Sequence, residues 1–226
     1  MRILAVDTTT PSGSIAVLEE RRLLAEISVD SVSTHSARLL SAINLILGAL
    51  HLGIQDIDGF AVTPGPGSFT GIRIGLSTVK SFAFASGKPV APVSSLQALA
   101  WKLRDSEERL VAPMLDAKKG EIYASLFEIQ SGTLGEIIPQ GAYSPDRFIS
   151  LLPAQRLVLF IGNGVELCRA MILDRLKAEA RFSTRSLFIA QEVGLLGYEI
   201  LKAKKGISST ELEPLYFRKS QAEEKH

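Results

Sequence analysis

Apolar residues run from Arg2 to Val6 and stop at Asp7, a turn-rich "TTTPSG" follows, and "SIAVLEE" and "RLLAEISVD" then alternate with period two. This pattern predicts three strands joined as an antiparallel meander. The same grammar returns in "VAPMLDAKKGEIYASLFEI", where Asp116 takes the place of Asp7 and "GEIYASL" from Gly120 that of "GSIAVL" from Gly13. A repeat of about half the chain length predicts an α/β protein of two duplicated lobes. Each lobe should hold a mixed sheet flanked by helices. The charged stretch "KLRDSEERL" puts the expected boundary between residues 1–103 and 104–226.

Between and after the meanders the period lengthens to that of helices. "THSARLLSAINLILGALHLG" predicts a helix capped by Ser33 or Thr34 and stopped by Gly53, with apolar residues from Ala37 to Leu50 around most of its circumference. A helix covering one sheet needs an apolar stripe of only about 100°. The surplus points to association. "DGFAVTPGPGSFTG" reads as a strand entering a turn, followed by a helix from about Ile72 to Ala85. "KPVAPVSSLQALAWKL" reads as a short strand and a helix, "RLVLFIGNGVELCRAMILDRL" as a strand, a glycine turn and a helix, "SLFIAQEVGLLGYEILKAKKG" as a late helix and "ELEPLYFRKSQAEEKH" as an extended tail.

Composition narrows the classes. With 46% apolar and 22% charged residues in 226, the chain has enough core for a globular enzyme-sized fold. Its formal net charge of +1 leaves no general basic field, so any contact with RNA would be local or shared with a partner. A single cysteine, Cys168, excludes an intrachain disulfide and sits among helical apolar positions as a buried residue. The single cysteine and the absence of a leader-like start point to a reducing cytoplasm, and no membrane span is expected, because the apolar runs fall well short of the roughly 20 residues that cross a bilayer.

Asp7, ending a strand before Thr8, Thr9, Thr10 and Ser12, is placed as a nucleotide-binding lobe would place a metal-holding carboxylate, and also as an aspartate that merely bonds its own turn. Gly162 and Gly164 in "IGNGVE" would let a base or ribose come close, or form a tight strand-to-helix turn. Asp116, beside Lys118 and Lys119, reads more readily as a surface ion pair. The glycines of "TPGPGSFTG" are one residue out of register for a dinucleotide fingerprint, no Gly-Lys-Ser/Thr closes a P-loop, and Pro64 and Pro66 remove donors from the arc. Phosphate binding there is disfavoured. Gly71, Gly75, Val79 and Ala83 recur every four residues, the spacing of a flat helical face for close packing against another helix. His35, His51 and His226 are scattered, so no histidine metal site is expected, and the absence of a Gly-x-Ser-x-Gly elbow argues against a hydrolase.

Together, "ILAVDTTT", "TPGPGSFTGIRIGLSTVKSFAFA", "VSSLQALA", "LDAKKGEIYASLF", "IGNG" and "PLYFRK" resemble, in order and over essentially the whole length, the bacterial TsaB family of tRNA threonylcarbamoyladenosine biosynthesis proteins. The resemblance implies the duplicated actin-like, ribonuclease H-like fold shared with sugar kinases. It also implies a non-catalytic role. In the related catalytic subunit TsaD an H-x-x-x-H metal pair falls where this chain has Ser95 and Leu99, which supply no imidazole. Carried over, the resemblance implies a heterodimer with a TsaD-like subunit, recruitment of a TsaE-like ATPase, a homodimer when alone, and tRNA met only through the complex. The implied interface comprises Ala37, Leu40, Ile43 and Leu47 with Gly71, Gly75, Val79 and Ala83. No cofactor is required, beyond vestigial nucleotide contacts at Asp7, Thr8, Thr9, Gly162 and Gly164. The competing reading is an ATP-binding small-molecule kinase or ATPase of the same fold.

Overall fold

The meander forms as the alternation predicts. In the computed structural model, which describes residues 1–10, 12–30, 35–130 and 132–218, β1 (Arg2–Asp7), β2 (Ser12–Glu19) and β3 (Arg22–Asp30) pair antiparallel in sequence order. After α1 (His35–Ala49), β4 (Gly59–Val62) adds parallel to β1; after α2 (Phe69–Ser86), β5 (Val90–Pro92) adds parallel to β4, giving the order β3-β2-β1-β4-β5. Beyond α3 (Ser95–Trp101), the chain repeats the plan. The strands β6 (Leu110–Lys118), β7 (Glu121–Gln130) and β8 (Thr133–Tyr143) form a second meander. Helix α4 (Pro145–Leu151), β9 (Val158–Ile161), α5 (Val165–Leu176) and β10 (Ala180–Phe182) complete a sheet of order β10-β9-β6-β7-β8, with β9 parallel to β6 and β10 parallel to β9. Strand for strand, the two sheets have the same topology. The duplicated α/β architecture is therefore present.

The division of the chain differs from a single cut near residue 103. One compact unit comprises Met1–Ala98 and Phe188–Tyr216, the other Leu99–Leu187 and Phe217–His226. Helix α6 (Ala190–Lys202) is last in sequence yet packs on β1, β2, β4 and β5 of the first sheet. Two glycines permit this. A Cβ at Gly194 would overlap the Leu18 side chain, and one at Gly197 would lie 2.5 Å from the Ala61 Cβ. On the other face of that sheet, Leu4, Val6, Ile15 and Val17 meet Leu39, Ile43 and Ile46 of α1 and Ile72, Leu76 and Val79 of α2. In the second unit, Ala112, Met114, Ile122 and Ala124 of the sheet pack with Phe148 and Ile149 of α4 and Cys168 and Ile172 of α5.

Several element ends shift for identifiable reasons. Helix α2 begins at Phe69, earlier than its apolar periodicity suggests, because Ser68 caps it and its Oγ accepts from the Gly71 N–H at 3.2 Å. Helix α1 ends at Ala49 rather than continuing to Gly53, and His51 then turns with φ 54°. Gly53 instead opens a single 3₁₀ turn, its N–H donating to Asp56 Oδ2 at 2.7 Å. The proposed caps Ser33 and Thr34 lie outside the described residues. Strand β8, not anticipated because Gly135, Pro139 and Gly141 interrupt it, is an edge strand, where proline is tolerated. Among the described residues no helix is long and apolar enough to cross a membrane.

Gly197→Val inserts methyl groups where Ala61 and Ala91 leave no room. We expect a loss of about 3 kcal/mol of unfolding free energy, measured by urea denaturation, with Gly48→Ala, whose Cβ meets nothing within 4 Å, as the tolerated control.

Candidate functional site

Strand β1 delivers Asp7 into the interior at 0% exposure. Its Oδ1 accepts from the Thr9 N–H at 3.1 Å, the Thr9 hydroxyl at 2.6 Å and the Thr63 hydroxyl at 2.6 Å, whereas Oδ2 is buried without a hydrogen-bond partner. Burial raises the carboxyl pKa above its usual range, against the opposing pull of the Thr63 and Thr9 hydrogen bonds. Thr8 also turns inward, its hydroxyl donating to the Gly71 carbonyl at 2.7 Å. Phosphate oxygens need donors that point outward. The hydroxyls of Thr8 and Thr9 both point into the fold, so these two hydroxyls do not serve as outward donors to a phosphate.

The glycine turn and α2 are built onto the same threonines. The Ser68 N–H donates to the Thr9 carbonyl at 2.7 Å, and a Cβ at Gly67 would overlap that carbonyl. A Cβ at Gly71 would overlap the Thr8 carbonyl oxygen, and one at Gly75 the Thr8 Oγ1. Val79 and Ala83 continue the stripe into the core cluster. This corrects the expected interface: Gly71, Gly75, Val79 and Ala83 do form a close-packing face, but its partner is the Thr8 turn and core of the same unit. Ile43 and Leu47 are buried in that core too. Of the four expected α1 residues only Leu40 is seen to face outward, half exposed, and the side chain of Ala37 lies outside the described residues.

With those faces turned inward, the opposite faces are presented to solvent. On α1, Leu40, Ser41, Asn44, Leu45, Gly48 and Ala49 are exposed, and Leu39–Ala49 holds no charged residue. On α2 the exposed residues include Thr70, Arg73, Ser77, Ser81, Phe84 and Ala85, and only Arg73 and Lys80 in the helix are charged. Phe84 is 79% exposed and Leu45 65%. A groove of about 730 Å³ lies along the α1 side, walled by Leu40, Asn44, Leu47, Gly48, Ile54 and Phe82. Sequence reading missed Phe84 and Arg73. The signal was the stripe at residues 73, 77, 81 and 84, the complement of the glycine stripe.

The matching turn in the second unit has the opposite electrostatics. Asp116 is only partly buried; burial acts upward on its pKa, but hydrogen bonds from Lys118 N at 2.7 Å and Lys118 Nζ at 2.6 Å bring it below the usual carboxylate range. The Asp116 N–H donates to Asn163 Oδ1 at 3.0 Å. Gly162, with φ 119°, and Gly164 lie so close to the backbone of Met114 and Leu115 that a Cβ at either would collide with it. Both glycines thus serve the strand-to-helix turn.

Comparison with known proteins agrees with this architecture. Residues 28–226 match the family model TsaD, tRNA N6-adenosine threonylcarbamoyltransferase. The chain is 33% identical over 228 aligned residues to the tRNA threonylcarbamoyladenosine biosynthesis protein TsaB of Bacillus subtilis, covering 100% of this chain and 97% of that one. Among solved structures it is similar to a Pseudomonas aeruginosa protein described as having similarity to the peptidase YeaZ, at 27% identity and a TM-score of 0.84, covering 96% and 99% of the two chains. A ROK hexokinase from Thermus thermophilus, 14% identical with a TM-score of 0.54 over 89% of this chain and 100% of that one, shares the fold alone. The fold is thus the actin-like one that this kinase shares.

The Asp7 geometry fixes a pH dependence. Its folded pKa is raised above the ordinary, unfolded value of 3.8, so between the two values the folded state holds more protons and stability falls as pH rises. Above both values the full cost is present. Asp7→Asn is therefore expected to raise Tm at pH 7, with the gain shrinking toward zero as pH falls to the unfolded pKa. A calorimetric series from pH 7 to pH 4 measures it, and a gain that grows with acidity would contradict the sign.

Proposed function

The chain belongs to the TsaB family of tRNA threonylcarbamoyladenosine biosynthesis proteins, and from that premise we propose that it is a partner subunit, without catalysis of its own, that binds a TsaD-like catalytic subunit and helps recruit a TsaE-like ATPase. The observation that carries this reading is the outward face of α1 and α2. Exposed Leu40, Leu45 and Phe84 stand on two helix faces nearly devoid of charge, the composition of a protein interface rather than of a solvated helix. The same face would pair two copies when the catalytic subunit is absent, and tRNA would be met through the complex, in keeping with the balanced charge.

A non-catalytic role draws support from the inward hydroxyls of the Asp7 turn and from Ser95. At the position of the first metal-binding histidine of the catalytic relative, Ser95 is buried and its hydroxyl donates to the Pro66 carbonyl at 2.6 Å. That side chain holds the Gly-Pro-Gly turn in place.

Reconstitution of tRNA threonylcarbamoylation from the catalytic subunit and the ATPase tests the role: activity should depend on this protein, and full activity without it would reject the proposal. For the interface, Leu40→Asp with Phe84→Asp should weaken the heterodimer at least about thirtyfold in a binding titration while leaving Tm nearly unchanged. Gly75→Leu, by contrast, is expected to lower Tm, since it strikes Thr8 rather than a partner.

A further inference from the structure

One cation on the outward face of α2 is held differently from an ordinary surface arginine. The Arg73 guanidinium lies over the ring of Phe69, 4.3 Å from its centroid, one turn earlier on the helix. Tyr216, from the C-terminal segment, stacks nearly flat on Phe69 with centroids 4.2 Å apart and an interplanar angle of 9°, and its hydroxyl accepts from Arg73 Nε at 3.1 Å. The segment bearing Tyr216 is itself anchored. Leu212 is fully buried, the Leu215 N–H donates to the Pro64 carbonyl at 2.8 Å, and Gly65 lies so near the Leu215 carbonyl that no Cβ fits between them. Two restraints thus orient Arg73. Its terminal nitrogens have no acidic partner among the described residues.

From this arrangement we infer that Arg73, positioned by Phe69 and Tyr216, is an anchor that grips a carboxylate side chain on the catalytic subunit in bidentate fashion. The inference rests on the docking surface proposed above and names the chemistry that one point of it reads. A guanidinium whose Nε is tied and whose plane is stacked offers its two terminal N–H groups as a fork, the geometry that a carboxylate fits and an ammonium does not reproduce. The surroundings favour protein over nucleic acid. RNA-binding faces carry several cations along the phosphate track, whereas Arg73 stands among Thr70, Ile74, Ser77 and Thr78, with a shallow pocket of about 420 Å³ beside it. Arg73 and Lys80, two turns apart, are the only charges on this helix, and an arginine within so sparsely charged a face is the pattern of a protein hot spot. Tyr216 acts as a positioning residue, since it touches the arginine and not the partner's carboxylate in this scheme.

The test is titration of the protein and its Arg73 and Tyr216 variants with the purified catalytic subunit at two salt concentrations, with self-association followed separately by sedimentation. Arg73→Ala should weaken the heterodimer about thirtyfold and remove most of its salt sensitivity. Arg73→Lys should recover little of that loss, and Arg73→Glu should bind more weakly than Arg73→Ala. Tyr216→Phe, which keeps the stacked ring, should weaken binding by a few fold with Tm unchanged. Wild-type affinity in Arg73→Ala, full rescue by lysine, an effect confined to self-association, or loss only of binding to a tRNA transcript would each overturn the inference. Failure of the wild-type protein itself to bind would instead reject the docking surface on which it rests.

Discussion

The contact between Thr8 and helix α2 sets the arrangement of the first unit. Thr8 donates its hydroxyl to the Gly71 carbonyl, and its own carbonyl and Oγ1 fill the space that side chains at Gly71 and Gly75 would take. Close approach of a backbone turn to a helix is possible only where the helix lacks Cβ atoms. Once α2 is seated in this way, its rotation about its own axis is fixed: Val79 and Ala83 must enter the core, and Arg73, Ser77 and Phe84 must leave it. The outward face of α2 follows from its seating and needs no separate design.

This geometry also explains which parts of the molecule the sequence revealed. Period-two alternation and two acids at corresponding turns made the duplicated meander readable, because one sheet face must be apolar whatever covers it. The four-residue stripe on α2 was equally readable as a close-packing face. Its partner was not, since small residues serve contact within a chain and between chains alike, and only the position of Thr8 decides between them. Gly194 and Gly197 do for α6 what Gly71 and Gly75 do for α2, and they press on residues more than 100 positions away in sequence. The Tyr216 clamp was hidden for the same reason. Nothing local in "EPLYFRK" says that the tyrosine will meet the first turn of α2.

Asp7 shows a different kind of economy. A buried carboxyl with an unpartnered oxygen opposes folding, and the three hydrogen bonds to its Oδ1 offset only part of the penalty. Those same bonds tie the end of β1 to Thr9 and, through Thr63, to the end of β4. From Thr9 the connection continues to Ser68, and so to the cap of α2. The carboxyl therefore organises the turn that seats α2.

The second unit provides the contrast that gives this organisation its meaning. Its topology is the same, and Asp116 stands where the repeat predicts, yet there the acid faces Lys118 at the surface and the adjoining glycines only tighten a turn. Identical strand order has thus been furnished with opposite electrostatics. In the first unit the polar turn is drawn inward and a helix is fastened over it; in the second it stays near solvent, paired with a lysine. The Thr8 and Thr9 hydroxyls of the first unit are spent on inward bonds, and the second unit's acid is spent on a lysine. What the first unit provides is mechanical: a turn that holds α2 with its sparsely charged face outward, and a C-terminal segment that holds one arginine upon it.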